Sequence, residues 1–310
     1  MTAPQTEIPT LAKIAAVARD IKLSHSVFAL PFAVLATFLA TAWSASDGRL
    51  PSAVQLILII GCMVMARTAA MTMNRWADAA TDARNPRTLQ RALPSGQIRP
   101  ALMLAVAIGS SLTFIALCSG FWIMDQNPWP ILLSPLMLAY LIAYSFTKRF
   151  TCLCHFVLGS ALALSPMAAV MAIDPPYLIQ APPYLLALMV LCWVAGFDII
   201  YALQDTEVDR AQGLFSVPAR FGQLVALRTS RVLHLIAGTA LIATWWYSPH
   251  LGTFFLIASI GTISLLILEH ALVWADRTAR SIQTAFFTVN GIISLLLGTA
   301  GIADVLYLAR

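Results

Sequence analysis

Two stretches decide how this chain folds: NRWADAATD at residues 74–82 and DIIYALQDTEVD at residues 198–209. In the first, Asn74, Asp78 and Asp82 recur every four residues; in the second, Tyr201, Asp205 and Asp209 do the same, with Asp198 a further turn upstream. That interval aligns each trio along one face of a helix. Each stretch follows an apolar run long enough to cross a bilayer. An aspartate at the membrane centre costs roughly 2.5–3.5 kcal/mol on insertion scales, so four unpaired ones would cost about 10–14 kcal/mol. Carboxylates so placed need a polar cavity or a cation.

The composition is that of an integral membrane protein, not a soluble domain: 59% of the 310 residues are hydrophobic and 11% charged, with a mean hydropathy of +0.80. Apolar stretches near 20 residues predict nine spans, at about 24–46, 52–72, 101–124, 129–147, 153–173, 183–203, 230–247, 252–274 and 285–308. With a cytosolic N-terminus, all of the 19 Lys and Arg residues except Arg49 and Arg310 fall toward the cytosolic side. This predicts an N-in, C-out chain of a bacterial inner membrane, with both acidic stretches at the cytosolic ends of spans 2 and 6. The net charge of +5 then gathers on one surface, where it suits anionic headgroups or a phosphorylated substrate and not nucleic acid. Nothing in the sequence calls for an obligate protein partner.

Residues 1–23 are too polar for a signal peptide and form a cytosolic or interfacial segment ahead of a single membrane domain, 24–310. Leu11, Ile14, Ala18 and Ile21 recur at helical spacing and predict an amphipathic helix lying in the membrane interface. Most of the five cysteines sit within spans, as small buried apolar residues do. Cys152, Cys154 and His155 suggest a metal site, but no second ligand pair stands at zinc spacing. His25, His234 and His270 could suggest haem ligation, but nothing pairs them in sequence, and they read as helix-end or headgroup-facing residues.

Spans 2 and 6 are each followed by an acidic stretch and an arginine-rich polar segment, the layout of an internal duplication. Spans 1–4 and 5–8 then form pseudo-repeated four-helix halves around a central cavity, with span 9 at the periphery, an all-α bundle in which the two acidic stretches face each other. The polar segments at about 75–100 and 204–229 are long enough to serve as lids or binding loops.

Two facing DxxxD pairs, Asp78 with Asp82 and Asp205 with Asp209, offer four hard carboxylates, the ligand type that holds Mg²⁺ while leaving positions for phosphate oxygens. A diphosphate bridged by magnesium is the natural guest, and in a bilayer the obvious diphosphate is a polyprenyl one. Arg84, Arg87, Arg91, Lys148 and Arg149 lie just beyond the spans and can neutralise the remaining phosphate charge. A single Asp pair at a helix end is often only a solvated cap, and loop arginines often only set topology. Two pairs at equivalent places, each with a third polar residue four positions earlier, go beyond that.

The string NRWADAATDARNPRTLQRALPSG (74–96), with YSFTKRFT (144–151) and GFDIIYALQDTEVDRAQG (196–213), resembles the UbiA superfamily of intramembrane aromatic prenyltransferases. The resemblance rests on NxxxDxxxD, the RTxxRxxPSG continuation, the Tyr144–Lys148 pair and DxxYAxxDxxxD, in that order. It implies a nine-helix bundle around a cavity open laterally to lipid, with Asp78, Asp82, Asp205 and Asp209 binding magnesium and diphosphate. Asn74, Arg87, Arg91, Tyr144, Lys148, Asp198 and Tyr201 are expected at its polar end. The substrates implied are a polyprenyl diphosphate and an aromatic acid: 4-hydroxybenzoate in ubiquinone synthesis or, as HSVFALPF and ARTAAMTMNR suggest, 1,4-dihydroxy-6-naphthoate in menaquinone synthesis. Arg75 replaces the Asp that many relatives carry after the motif's Asn, and His25 aligns where many benzoate enzymes have an arginine.

The expected chemistry is ionisation of the allylic C1–O bond, with charge on the departing diphosphate stabilised by metal and basic residues. Phe197 and Tyr201 are candidates to face the allylic cation, and Asp198 to accept the ring proton. Two other classes compete. A cation-coupled transporter also uses intramembrane carboxylates and repeats, but not arginines beside them at the mouth. A phosphatidyltransferase keeps its aspartates in one contiguous cluster.

Overall fold

Helix α3 (Ala53–Asp82), which carries the first acidic stretch, starts at a reciprocal capping box. Ser52 Oγ accepts the Gln55 N–H at 3.1 Å and Gln55 Oε1 accepts the Ser52 N–H at 3.0 Å. At 1.5 Å per residue its 30 residues extend about 45 Å, against a hydrocarbon slab of about 30 Å. That surplus of about 15 Å is enough for its polar last turns, with Asn74, Asp78 and Asp82, to lie outside the hydrocarbon.

A computed structural model describes residues 10–21, 28–44, 49–275, 282–283 and 285–308; His25 lies outside them. Among the described residues the secondary structure is helical, with no strand. Helix α1 (Thr10–Asp20) precedes α2 (Leu30–Ser44) and α3, followed by α4 (Pro100–Asp125), α5 (Trp129–Thr147) and α6 (Cys154–Ile173). Then come α7 (Ala181–Ala202), the short α8 (Thr206–Ala211), α9 (Val217–Tyr247), α10 (Thr253–Ala275) and, after a π-helical turn at Ala285–Val289, α11 (Asn290–Leu308). Eight of the described helical segments are long and apolar enough to cross a membrane. Helix α2 is apolar but has 15 residues, about 22 Å, shorter than the span expected at 24–46.

The chain closes on itself laterally. Helix α2 contacts α3, α6 and α11; α3 contacts α4 and α5; and the series α5, α6, α7, α9, α10, α11 continues neighbour to neighbour back to α2. Helix α7 is the most enclosed, and two glycines allow its neighbours close. A Cβ at Gly159 of α6 would come within 2.4 Å of the Leu191 carbonyl oxygen, and one at Gly196 of α7 within 2.4 Å of the His234 ring on α9. Small residues at such crossings let helix backbones approach in a bundle that lacks a strong hydrophobic drive between helices.

Three sequence expectations change. The polar segments at 75–100 and 204–229 are more helical than expected of loops: the first begins with the end of α3 and leaves 83–99 as a connection, and the second is helical except at 212–216. Hydropathy hides the start of α9 because Arg220, Arg228 and Arg231 interrupt its apolar run. Ser216 nevertheless caps it, accepting the Ala219 N–H at 3.3 Å, with Pro218 in the first turn and a kink at Gly222 (φ 82°). Second, Tyr201, Asp205 and Asp209 do not share one continuous α-helix. Helix α7 ends at Ala202, a 3₁₀ turn covers Leu203–Asp205, and α8 begins at Thr206. Third, α1 turns its apolar face to protein: Ala16, Val17 and Ile21 bury against Ala92, Leu93, Ile98 and Met103. Arg75 Nε donates to the Asp20 carbonyl at 3.2 Å and ties the helix to α3. The side chains of Leu11 and Ile14 lie outside the described residues.

Candidate active site

Two cavities meet inside the bundle. One, of about 350 Å³, is lined by apolar side chains of α2 to α6, among them Ile59, Met63, Phe114, Leu133 and Met167. The other, of about 330 Å³, is polar and sits where the ends of α3, α5 and α7 converge. Both are lined by Phe28, Arg67, Met71, Tyr144, Leu158 and Leu162, which form the seam between them. The polar cavity holds five carboxylates, Asp78, Asp82, Asp198, Asp205 and Asp209, and five permanent cations, Arg67, Arg75, Arg87, Arg91 and Lys148. Its permanent charges therefore balance.

Most of these carboxylates have a dedicated partner. Lys148 Nζ donates to Asp78 Oδ2 at 2.6 Å, joined by Asn74 Nδ2 at 3.3 Å, while Asp78 Oδ1 is buried without a hydrogen-bond partner. Arg91 Nη1 donates to Asp82 Oδ2 at 2.7 Å. Arg87 grips Asp205 with a fork, Nε to Oδ1 at 2.9 Å and Nη2 to Oδ2, and its Nη1 reaches the Tyr201 hydroxyl at 2.9 Å. The guanidinium also stands over the Tyr201 ring, 5.2 Å from its centroid. Burial alone would lower the Arg87 pKa; the Asp205 hydrogen bond, with charge from Tyr201, Asp205 and Asp82, reverses this and holds it above the ordinary arginine value.

The connection after α3 is shaped to deliver these groups. Thr88 Oγ1 donates to the Asp82 carbonyl at 3.0 Å, Asn85 Oδ1 accepts the Arg87 N–H at 2.9 Å, and Asn85 Nδ2 reaches Asp205 Oδ1 at 2.8 Å. Gly96 supplies the positive φ (74°) that lets the Pro-Ser-Gly turn close. On the opposite wall, Ser216 Oγ donates to Asp209 Oδ2 at 2.8 Å. His155 stands against Asp198, its Nδ1 2.7 Å from Oδ2, while its Nε2 accepts the Val217 N–H at 3.2 Å. Aromatic side chains complete the site. Phe286, on the π-helical turn, touches Phe28, Phe197 and Tyr201 with ring centroids 5.9, 5.1 and 4.2 Å away.

The structure thus brings Asn74, Asp78, Asp82, Arg87, Arg91, Tyr144, Lys148, Asp198, Tyr201, Asp205 and Asp209 to one cavity. Arg84 is exposed and does not line it, and Arg149 turns away to donate to the Ala77 carbonyl. Among the described residues no three His, Cys, Asp or Glu side chains converge as a metal site. The run Cys152, Cys154, His155 forms no such site: Cys154 Sγ donates to the Phe215 carbonyl and His155 engages Asp198. The sequence reading does not place Arg67, Asn85 or Phe286 in the site, and it considers His155 only as a metal ligand. A lone arginine inside an apolar run is a signal that would have found Arg67; Asn85 and Phe286 carry none that stands out.

The UbiA prenyltransferase family matches residues 33–292 of the chain. A 4-hydroxybenzoate octaprenyltransferase of Pseudomonas fluorescens is 32% identical over 229 residues, 71% of this chain and 72% of that protein. Its counterpart in Haemophilus ducreyi is 29% identical over 88% of this chain and 98% of its own length. The apo structure of a UbiA homologue from Aeropyrum pernix superposes with a TM-score of 0.80 at 29% identity, covering 91% of this chain and 98% of that one. An Archaeoglobus fulgidus homologue, solved with DMAPP and Mg²⁺ bound, shares the fold at a TM-score of 0.67 and 19% identity. Two acidic stretches facing one cavity, and relatives matching through most of the chain, place this integral membrane protein in the UbiA prenyltransferase family.

Proposed function

We propose that the chain transfers a polyprenyl group from its diphosphate to a ring carbon of a hydroxy-aromatic acid of the 4-hydroxybenzoate type. The observation that carries this reading is the junction of a charge-balanced polar cavity with an apolar chamber across the seam at Arg67 and Tyr144. A prenyl diphosphate has the same division, a polyanionic head and a hydrocarbon tail. The relatives named as 4-hydroxybenzoate octaprenyltransferases support the acceptor class. Their bacterial sources and the one-sided basic charge support a cytoplasmic membrane, with the N-terminus and the polar cavity on the cytosolic side and residues 24–310 as one domain.

The donor set fits magnesium. Four hard carboxylates line one cavity, and Asp78 Oδ1 is a buried oxygen awaiting a partner. Asp78, Asp82, Asp205 and Asp209 would hold the metal, which supplies Lewis-acid stabilisation of the charge on the leaving diphosphate. As the carboxylates change partner, Arg87, Arg91 and Lys148 turn to the phosphate oxygens, Arg87 by its fork. Phe197, Tyr201 and Phe286 offer ring faces to the allylic carbon as its bond to oxygen breaks; a desolvated cation–π contact is worth about 2 kcal/mol. Arg67, at the seam, anchors the acceptor's carboxylate so that its electron-rich ring carbon meets C1. Asp198 takes the proton that the ring loses, and the apolar chamber keeps water from the cation.

The test is product formation by membranes carrying the chain, given magnesium and a polyprenyl diphosphate, with 4-hydroxybenzoate and 1,4-dihydroxy-6-naphthoate supplied separately. Prenylated benzoate is expected. Prenylated naphthoate alone would move the chain to menaquinone synthesis, and no product with either would overturn the reading.

A further inference from the structure

Asp198 differs from its neighbours in its partner. Asp78, Asp82 and Asp205 each face a permanent cation and Asp209 a serine hydroxyl, whereas Asp198 faces the imidazole of His155. That ring is 4% exposed, and Asp198 keeps 23% exposure where it borders the cavity. The ring's protonation is readable from its second contact. The Val217 N–H, an orphan donor of the first turn of α9, points at Nε2 from 3.2 Å. A backbone amide can only donate, so Nε2 presents its lone pair, the proton of the neutral ring sits on Nδ1, and Nδ1–H donates to Asp198 Oδ2 at 2.7 Å. Resting on the prenyl-transfer reading above, we propose that His155 is a positioning residue that holds Asp198 as an aimed, uncompensated carboxylate for the acceptor's ring proton.

A lysine or arginine at this place would neutralise the carboxylate and blunt it as a base. A neutral N–H donor fixes its plane and occupies one oxygen, leaving Oδ1 for the cavity. In the step assigned, the ring carbon bonds to the prenyl C1 and the C1–O bond has gone to the diphosphate. The ring C–H proton passes to Asp198 Oδ1, and the C–H electron pair restores aromaticity. Asp198 then returns the proton to the departing diphosphate, and His155 neither gains nor loses one. The same histidine joins α6, α7 and the start of α9, and Ser216, one residue earlier, holds Asp209. The base and one of the proposed metal carboxylates are thereby set by the same helix start.

The test uses the full chain in detergent or nanodiscs, with magnesium, geranyl diphosphate and 4-hydroxybenzoate, unlabelled or deuterated at the ring positions flanking the hydroxyl. His155→Ala is expected to lower kcat by about ten- to a hundredfold, leave both KM values nearly unchanged, and raise the hydrogen/deuterium effect on turnover, because C–H cleavage becomes limiting. His155→Gln, whose amide both donates and accepts, is expected to recover most of kcat and the wild-type isotope effect. Equal losses in the two variants with an unchanged isotope effect, or a rise in KM alone, would overturn the role. Nitrogen-15 NMR of the wild-type ring decides independently of whether the alanine variant folds: a proton on Nε2 would also overturn it. An inert wild-type chain would remove the functional reading and this role together, whereas an active wild type with indifferent variants removes the role alone.

Discussion

Replacing Lys148 with methionine keeps the length and apolar stem of the side chain and deletes the one permanent cation on Asp78. That carboxylate is 2% exposed; its Oδ1 already lacks a hydrogen-bond partner, and its Oδ2 would keep only Asn74 Nδ2, at 3.3 Å. Stranding a buried charge costs about 3–5 kcal/mol, and because the lysine side chain is 32% exposed the figure here is discounted to about 2–3 kcal/mol. In thermal unfolding of the detergent-solubilised chain that corresponds to a fall in Tm of roughly 3–5 °C. Adding Asp78→Asn to Lys148→Met removes the stranded charge, so the double variant should regain more than half of the loss while remaining inactive. Magnesium should raise the Tm of Lys148→Met more than that of the wild type, since an ion can take the vacated place beside Asp78. A Lys148→Met Tm within 1 °C of wild type, or a double variant less stable than the single one, would refute the assignment of this pair as a buried, mutually compensating contact.

Asp205→Ala should abolish prenyl transfer while leaving folded protein in the membrane, and chelation of divalent ions should do the same reversibly; near-normal turnover in either case would remove magnesium from the proposed mechanism. Arg87→Lys loses the fork on Asp205 and the Tyr201 contact, and kcat/KM for the prenyl diphosphate should fall about ten- to a hundredfold, the equivalent of about 1.4–2.7 kcal/mol. Arg84→Ala, at an exposed position outside the cavity, should leave both activity and Tm within error of wild type, since surface changes usually fall within about 0.5 kcal/mol. Gly196→Ala drives a methyl into the His234 ring, which is held by His270 at 3.0 Å and the Trp193 carbonyl at 3.3 Å, and should cost about 1–3 kcal/mol in thermal unfolding.

Much of this site is legible in the sequence because a repeated carboxylate in a greasy chain has so few tolerable explanations. Asn74, Asp78 and Asp82 keep the four-residue interval on one helix, so their common face follows from the spacing alone. Asp205 and Asp209 keep the interval but not the helix: the 3₁₀ turn at Leu203–Asp205 bends the chain between them, and no residue there is a helix breaker strong enough to announce it. Partner choice is less legible still. That Arg87 takes Asp205, 118 residues away, while Arg91 turns back to Asp82, nine away, depends on how the 83–99 connection folds over the cavity mouth. The amphipathic pattern of α1 was real, but an apolar face carries no label saying whether lipid or protein will cover it. Ala92, Leu93 and Ile98 cover it here, from a segment whose arginines and Pro-Ser-Gly turn make it read as a solvated loop.

The balance of five carboxylates and five cations explains how so much charge is tolerated beside an apolar chamber. The pairs Lys148–Asp78, Arg91–Asp82 and Arg87–Asp205 compensate the charge of each member in the free protein. A prenyl diphosphate arriving with magnesium brings charges of both signs, so each pair can separate without leaving either member uncompensated: the carboxylates turn to the metal and the cations to phosphate oxygens. Neither component alone has this property. Diphosphate without metal would compete with the carboxylates for the same cations, and metal without diphosphate would release cations with nothing to receive them. The two should therefore bind with positive coupling, each raising the other's affinity by the same factor. A calorimetric titration of geranyl diphosphate with and without magnesium would measure that factor, and independence of the two would show that the ion pairs do not exchange partners.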